Sequence, residues 1–295
     1  MKKPLLLAAL FAVGCGGTAV STDEASSNDV APTGRGETLA AAKPTGQAAT
    51  LNITLHGGPV LLGTTNVYTI WYGNWTTTKQ NIINTYLNNV GGSPYFNINT
   101  TYYNSAGTHV SNSVKLAGST TDNYSQGTAL SDAAVQAVVS SAITSGRLPS
   151  DTNALYFVLT SADVNETSGF CTSYCGWHTH ATINGAIINY SWVGDPSTRC
   201  PASCEGQTAS SPNGDPGADG MASVVAHELE ETVTDPQGNA WYDSKGAENG
   251  DKCAWTWGTT STASNGSMYN ITLGGSQFLI QRNWVAATQA CAMSY

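Results

Sequence analysis

The stretch Ala226-His-Glu-Leu-Glu-Glu-Thr-Val-Thr-Asp-Pro236 combines a helical pattern with a histidine and several carboxylates. Asp219 is a residue type that caps helices and Pro236 ends them, so the sequence predicts a helix from Gly220 to about Thr234. At about 100° per residue, one helix face is apolar and should pack on a sheet. The opposite face gathers four polar side chains, which we expect to look over a cleft or into solvent: His227, Glu228, Glu231 and Asp235.

A histidine one turn before a glutamate can chelate a metal ion, and crowded carboxylates repel one another unless positive charge lies among them. The motif His227-Glu228-x-x-Glu231 resembles the His-Glu-x-x-His of zinc peptidases, with a glutamate in place of the second histidine. This resemblance implies that His227 and Glu231 bind the metal and that Glu228 is the general base acting on a metal-bound water.

A third ligand is expected from a second acidic cluster, Gly246-Ala-Glu-Asn-Gly-Asp-Lys-Cys253. Glu248 resembles the downstream glutamate ligand of gluzincin peptidases, and Asp235 and Asp251 are rivals for the same role. A carboxylate in place of an imidazole hardens the site, so calcium and manganese are alternatives to zinc. The competing interpretation is an acidic, solvent-facing helix side with one incidental histidine.

Two further histidines lie two residues apart in Trp177-His-Thr-His-Ala181. On an extended strand, His178 and His180 point to the same side and can line a cleft or contact substrate. The alternative is that both are surface or hydrogen-bonded core residues.

The N-terminus predicts export. Residues 1–14 carry two lysines and then an apolar run too short for a permanent membrane span, which is typical of a signal peptide. The run ends at Gly14-Cys15, which looks like a bacterial lipobox, so we predict lipidation of Cys15; ordinary cleavage further along is the alternative. Residues 15–50 are poor in large apolar side chains and predict a disordered tether, leaving 51–295 as one folded domain.

Without Cys15, six cysteines remain, an even number that suggests three disulfides in an oxidising compartment: Cys171, Cys175, Cys200, Cys204, Cys253 and Cys291. We favour Cys253 with Cys291, with the other four cross-linking one loop region. A four-thiolate zinc site at Cys171, Cys175, Cys200 and Cys204 is the alternative.

Composition limits the function further. The 295 residues carry a formal charge of −9, which excludes a basic nucleic-acid binder. Hydrophobic periodicity predicts strands and helices in alternation, and therefore an α+β fold. The predicted strands cover 66–72, 95–103, 154–159, 178–181 and 186–193, and the predicted helices before the motif cover 76–90 and 131–145.

Several stretches in a fixed order resemble the EXORDIUM or phosphate-induced protein family, which comprises plant extracellular proteins and their bacterial relatives. They are His56-Gly-Gly-Pro-Val60, Ile70-Trp-Tyr-Gly-Asn74, Tyr156-Phe-Val-Leu-Thr-Ser161, Gly169-Phe-Cys171, Trp192-Val-Gly194 and Pro212-Asn-Gly-Asp215. The resemblance implies a role at a cell surface or wall, without an established biochemical activity. The chain is also similar to zincins in having strands followed by a motif helix.

The sequence therefore predicts an exported, disulfide-bonded, zincin-like mixed sheet with a metal-motif helix. If it is an enzyme, we expect metal-assisted hydrolysis, of peptide bonds first of all. The alternative is a non-catalytic envelope or extracellular protein whose aromatic side chains contact carbohydrate or a wall polymer. Membrane contact is expected only through the lipid anchor.

Overall fold

The computed structural model describes residues 52–295. The predicted signal peptide, the tether of residues 15–50 and the lipidation of Cys15 lie outside the described residues. Within residues 52–295, no helix has both the length and the apolar character needed to cross a bilayer.

Five strands form the central sheet. They are β1 (Thr65–Tyr72), β2 (Val114–Asp122), β3 (Ala154–Thr160), β4 (Gly176–Ile183) and β5 (Ala186–Gly194). Their order is β2-β1-β3-β5-β4, with β2, β1, β3 and β5 parallel and β4 antiparallel to β5. Among the described strands, β4 pairs only with β5 and so forms one edge of the sheet.

Three long helices accompany the sheet: α1 (Thr77–Asn89), α2 (Asp132–Thr144) and α3 (Pro216–Thr234). The helix α1 connects β1 to β2, α2 lies between β2 and β3, and α3 follows β5. All seven residues of β3 are buried, as expected of a parallel strand covered on both faces. The fold is therefore mixed α+β, as the sequence predicts.

Smaller elements complete the molecule. The remaining strand pairs are Thr54–Leu55 with Trp241–Tyr242, Ala129–Leu130 with Asn165–Glu166, Ser261–Thr262 with Met268–Tyr269, Ile271–Leu273 with Ser276–Phe278, and Asn283–Val285 with Ala290–Ala292. Short helices occupy Phe96–Thr101, Pro201–Cys204 and Asp251–Cys253.

The prediction that Asp219 caps the motif helix is wrong. Asp215 is the cap, its Oδ1 accepting a hydrogen bond of 3.0 Å from the Ala218 backbone N–H. Pro216 at the first helical position has no N–H to satisfy, which lets α3 begin one turn earlier. The Asp219 carboxylate instead accepts hydrogen bonds from Asn213.

The strand predicted over 95–103 is also wrong, because Phe96–Thr101 is a 3₁₀ helix. Just before it, the Ser93 hydroxyl accepts a hydrogen bond from the Phe96 backbone N–H. The Thr100 and Thr101 hydroxyls donate to carbonyls three residues back. Such local side-chain bonds compete with a sheet ladder, and this outweighs the strand propensity of the segment.

A tight hairpin at Asn184-Gly185 joins β4 to β5, and both residues have positive φ, 51° and 78°, as such turns require. All six domain cysteines form disulfides, Cys171–Cys200, Cys175–Cys204 and Cys253–Cys291. The favoured Cys253–Cys291 pair is confirmed, and the four-thiolate zinc alternative is wrong because these sulfurs are bonded in pairs. Three disulfides are compatible with an exported protein.

Candidate metal centre

The motif helix α3 is buried from Gly217 to Thr234, so the expected open polar face is wrong. Its apolar side packs against the sheet and α1. The C-terminal segment covers the polar side and brings the second acidic cluster against it. The interpretation of these carboxylates as a solvent-facing helix side is therefore excluded.

One group of possible metal ligands joins His227, Glu231 and Asp251. The His227 Nε2 atom lies 3.0 Å from Glu231 Oε1 and 3.7 Å from Asp251 Oδ1. The Asp251 backbone N–H donates to the same Glu231 oxygen at 3.0 Å, which fixes the loop against the helix. Asp251, a rival in the sequence analysis, is thus the downstream carboxylate that meets the motif pair.

A second group joins His178, Glu231 and Glu248. The His178 Nδ1 atom lies 3.4 Å from Glu231 Oε2, and its Nε2 atom lies 3.6 Å from Glu248 Oε1. Strand β4 supplies the histidine and the loop after Tyr242 supplies Glu248. Glu248 therefore meets Glu231 on the side of His178, whereas its resemblance to the gluzincin ligand predicts a position beside His227.

Glu228 lies between these groups. Its Oε2 atom is 3.3 Å from His178 Nδ1, whereas Oε1 is buried with no hydrogen-bond partner. Glu228 and His227 line the same small cavity, which has room for about one water molecule. The other lining residues are Cys175, Gly176, Val224, Ala254, Trp255 and Gln281.

Two of the predicted site residues have other surroundings. The Asp235 carboxylate accepts hydrogen bonds from the backbone N–H groups of Asn239, Ala240 and Trp241, so it stabilises the turn after α3. His180 is half-buried and belongs to neither ligand group. Burial and the neighbouring His178 lower the pKa of His180.

Gly250 was missed in the sequence analysis. A methyl group on it would lie 2.9 Å from Glu231 Oε1 and 3.0 Å from the His227 ring. The backbone of the loop therefore lies directly against two candidate ligands. The available signal was a glycine between Asn249 and Asp251 in the acidic cluster.

Charges in the centre perturb each other strongly. Burial opposes charging of His227, but Glu231 and Asp251 outweigh it and hold the pKa of the imidazole well above its usual range. Burial also opposes ionisation of Glu231, but His227 and His178 outweigh it and lower its pKa to about 2. Burial raises the pKa of Glu228 to about 7, against the opposing effects of His178 and His227.

The donor set fits a divalent cation. Imidazole and carboxylate groups are ligands for zinc and manganese, and four of the atoms facing one another are buried without a hydrogen-bond partner. They are His227 Nε2, Glu228 Oε1, Glu231 Oε2 and Glu248 Oε1. Leaving such atoms unsatisfied in the interior is costly, and a bound cation would satisfy them.

Comparison with known proteins agrees with the sequence resemblance. The model of the family described as "Phosphate-induced protein 1 conserved region" matches residues 53–294. Protein EXORDIUM-like 5 of Arabidopsis thaliana is 33% identical, over 84% of this chain and 79% of its own length. Protein EXORDIUM-like 3 of the same plant is 32% identical, over 83% and 84%.

Protein PHOSPHATE-INDUCED 1 of Nicotiana tabacum is 28% identical, over 64% of this chain and 67% of its own length. No solved structure gives a significant match. Because the family model covers most of the chain, including β1 to β5, α3 and both acidic segments, this chain belongs to the phosphate-induced protein 1, or EXORDIUM, family.

Proposed function

We propose that this chain is an exported, metal-dependent hydrolase of zinc-metallopeptidase type with a zincin-like arrangement. His227, Glu231 and Asp251 would hold the metal, and zinc is the first choice, with manganese and calcium as alternatives. A metal ion bound there would act as a Lewis acid and lower the pKa of a coordinated water. The position of the motif helix α3 after the strands of the sheet supports the comparison with zincins.

The observation that carries the proposal is that Glu228 and His227 face one small cavity. The unpartnered Glu228 Oε1 lies in the interior beside the ligand group, where it can accept a proton from a water molecule. Its raised pKa, about 7, suits a group that takes up and returns a proton near neutrality. The His178 imidazole, 3.3 Å from Glu228 Oε2, holds the carboxylate in place.

A peptide is the substrate class that the surroundings favour. The first residue of β4, Gly176, lines the cavity, and among the described strands the far side of β4 has no strand partner. An extended peptide can pair with such an edge through main-chain hydrogen bonds, which would lead its backbone to Gly176 beside the cavity. We also propose that the chain is a bacterial lipoprotein, anchored through Cys15 and a tether of residues 15–50.

The test is Glu228→Gln in the zinc-loaded protein, assayed against a library of unstructured peptides. We expect cleavage to fall about 10²- to 10⁴-fold, because proton transfer is lost, while metal content stays unchanged. Glu230→Gln is the matched control, since Glu230 faces Tyr95 instead and its variant should keep its activity. Equal cleavage by Glu228→Gln and wild type, or no cleavage by the metal-loaded wild type, would refute the proposal.

A second candidate function is carbohydrate binding without catalysis. A separate cleft of about 470 Å³ is lined in part by Tyr103, His109 and Tyr295, and the two tyrosines are among the exposed large side chains. Exposed aromatic rings beside polar groups suit stacking on sugars. Titration with soluble glucan oligosaccharides, followed by tryptophan fluorescence, should then show saturation in the wild type and none in Tyr103→Ala.

A further inference from the structure

The two ligand groups share Glu231 through different oxygens. Its Oε1 atom faces His227 at 3.0 Å, whereas its Oε2 atom faces His178 at 3.4 Å. A carboxylate with one oxygen directed to each of two imidazoles has the arrangement of a bridging ligand. Each group also has a carboxylate of its own, Asp251 in the first and Glu248 in the second.

We infer that the centre binds two divalent cations, with Glu231 as the bridging carboxylate. The first cation is held by His227, Glu231 and Asp251, and the second by His178, Glu231 and Glu248. This inference rests on the proposed function for its first cation and adds the second one. The second cation takes one imidazole and two carboxylates, a donor set that suits manganese or zinc.

With both imidazoles bound to metal in their neutral form, the charge in the centre matches two divalent cations. Four buried or nearly buried carboxylates face the two imidazoles: Glu228, Glu231, Glu248 and Asp251. When both imidazoles are neutral ligands, one divalent cation leaves two negative charges uncompensated in the interior. Two divalent cations compensate all four, which removes a large desolvation penalty.

Unpartnered atoms point to the second position independently of the charge. Glu231 Oε2 and Glu248 Oε1 are buried, and neither has a hydrogen-bond partner. Both lie against the His178 ring, which is fully buried on β4. Most buried carboxylate oxygens in proteins are hydrogen-bonded, as those of the neighbouring Asp235 are to three backbone N–H groups.

The two positions differ in access. The first metal position lies beside the small cavity, since its ligand His227 lines that cavity. The ligands of the second position, His178 and Glu248, do not line it. Closed sites are typical of structural metals and sites with an open position are typical of catalytic ones. The second cation therefore holds Glu231 and the Glu248 loop in position for the first, and it takes no direct part in water activation.

The test is metal stoichiometry in the exported, disulfide-bonded protein, stripped with chelator and then loaded with Zn²⁺ or Mn²⁺. We expect two equivalents in the wild type, one in Glu248→Gln, one in Asp251→Asn and none in Glu231→Ala. Glu230→Gln, altered on the same helix but facing Tyr95, is the matched control and should keep two. The wild type with Mn²⁺ should also give an exchange-coupled paramagnetic resonance spectrum, which does not depend on whether a variant folds.

The outcomes separate the two proposals. One equivalent in the wild type that is lost in Asp251→Asn and kept in Glu248→Gln would overturn the second cation and leave the proposed function standing. An uncoupled Mn²⁺ spectrum in the fully loaded wild type would overturn the bridging role of Glu231. No bound metal in the wild type would overturn both proposals together.

Discussion

The two ends of α3 each gather carboxylates, but they are compensated in different ways. Near its N-terminus, Lys79 Nζ lies 2.5 Å from Asp195 Oδ2 and 3.5 Å from Asp215 Oδ1, so a side chain of the protein supplies the positive charge. Near its C-terminus, the imidazoles of His178 and His227 are the titratable partners of Glu228 and Glu231 among the described residues. Lys252, which directly follows Asp251, pairs with Asp243 at 2.9 Å.

This difference separates a structural ion pair from a candidate metal centre. Lysine is charged at every physiological pH and cannot be a ligand while protonated. Histidine is a metal ligand in its neutral form, and a neutral imidazole adds no positive charge to offset the carboxylates around it. An acidic pattern in the sequence is therefore informative only when its counter-charge is known.

Removing metal should have the largest effect and should act only on the C-terminal end of α3. A cation at about a thousand times its Kd stabilises the folded state by about 4 kcal/mol per site. For a chain of this size, chelator should lower Tm by about 8 °C or more. Calorimetry with and without chelator measures this, and the chelator should leave Glu231→Ala unaffected. Identical Tm values for the treated and untreated wild type would show that no metal stabilises the C-terminal end of α3.

Breaking the ion pair between Lys79 and Asp195, at the N-terminal end of α3, should destabilise the fold without changing the metal content. Lys79→Met leaves Asp195, which is 1% exposed in its side chain, without its cation. We expect a loss of about 2 kcal/mol, below the usual cost for a fully buried pair because the lysine is partly exposed. Urea unfolding measures it, with the exposed Lys115→Met as control. A loss of bound metal in Lys79→Met would show that the two ends are coupled.

Much of the fold could be predicted from the sequence because its main signals are local. The hydrophobic runs of β1, β3 and β5 and the caps at Thr76 and Ser131 are typical of the elements they form. Strand β2 was missed, since Val114–Asp122 is a half-exposed edge strand rich in glycine, serine and threonine.

The candidate site was harder to predict, because its grouping depends on tertiary contacts. The sequence identifies His227, Glu228 and Glu231 by helix geometry alone. It cannot decide between Glu248 and Asp251, since that depends on how the loop turns at Gly250. The sequence also cannot predict that His178 joins the site, because its strand lies about 50 residues before the motif and contacts the helix only in the folded protein.

A substitution with a smaller expected effect tests whether the loop at Gly250 lies against a bound metal. Gly250→Ala places a methyl group 2.9 Å from Glu231 Oε1 and 3.0 Å from the His227 ring without altering any ligand. We expect metal affinity to fall about tenfold, which is about 1.4 kcal/mol, measured by competition with a chelator. Gly206→Ala is the matched control, because its methyl group meets Trp257 and Leu279 at 3.1 to 3.2 Å instead. Unchanged affinity in Gly250→Ala would argue against a metal between these ligands.

The smallest expected effect tests the N-terminal end by pH. Burial, together with Asp195 and Asp215, raises the pKa of Glu205 to about 7, although Lys79 acts in the opposite direction. The folded state therefore binds this proton more tightly than the unfolded state, so the stability it contributes is present below about pH 4.5 and is lost as the pH rises through 7. Glu205→Gln cannot ionise and should be more stable than wild type by about 1 kcal/mol at pH 8, with little difference at pH 4. Thermal unfolding at the two pH values measures this difference.

The stability gained through Glu205→Gln at pH 8 should be larger in the Lys79→Met background, because the lysine no longer favours the ionised glutamate. An unchanged gain would mean that Lys79 does not compensate the carboxylates of Asp195, Glu205 and Asp215.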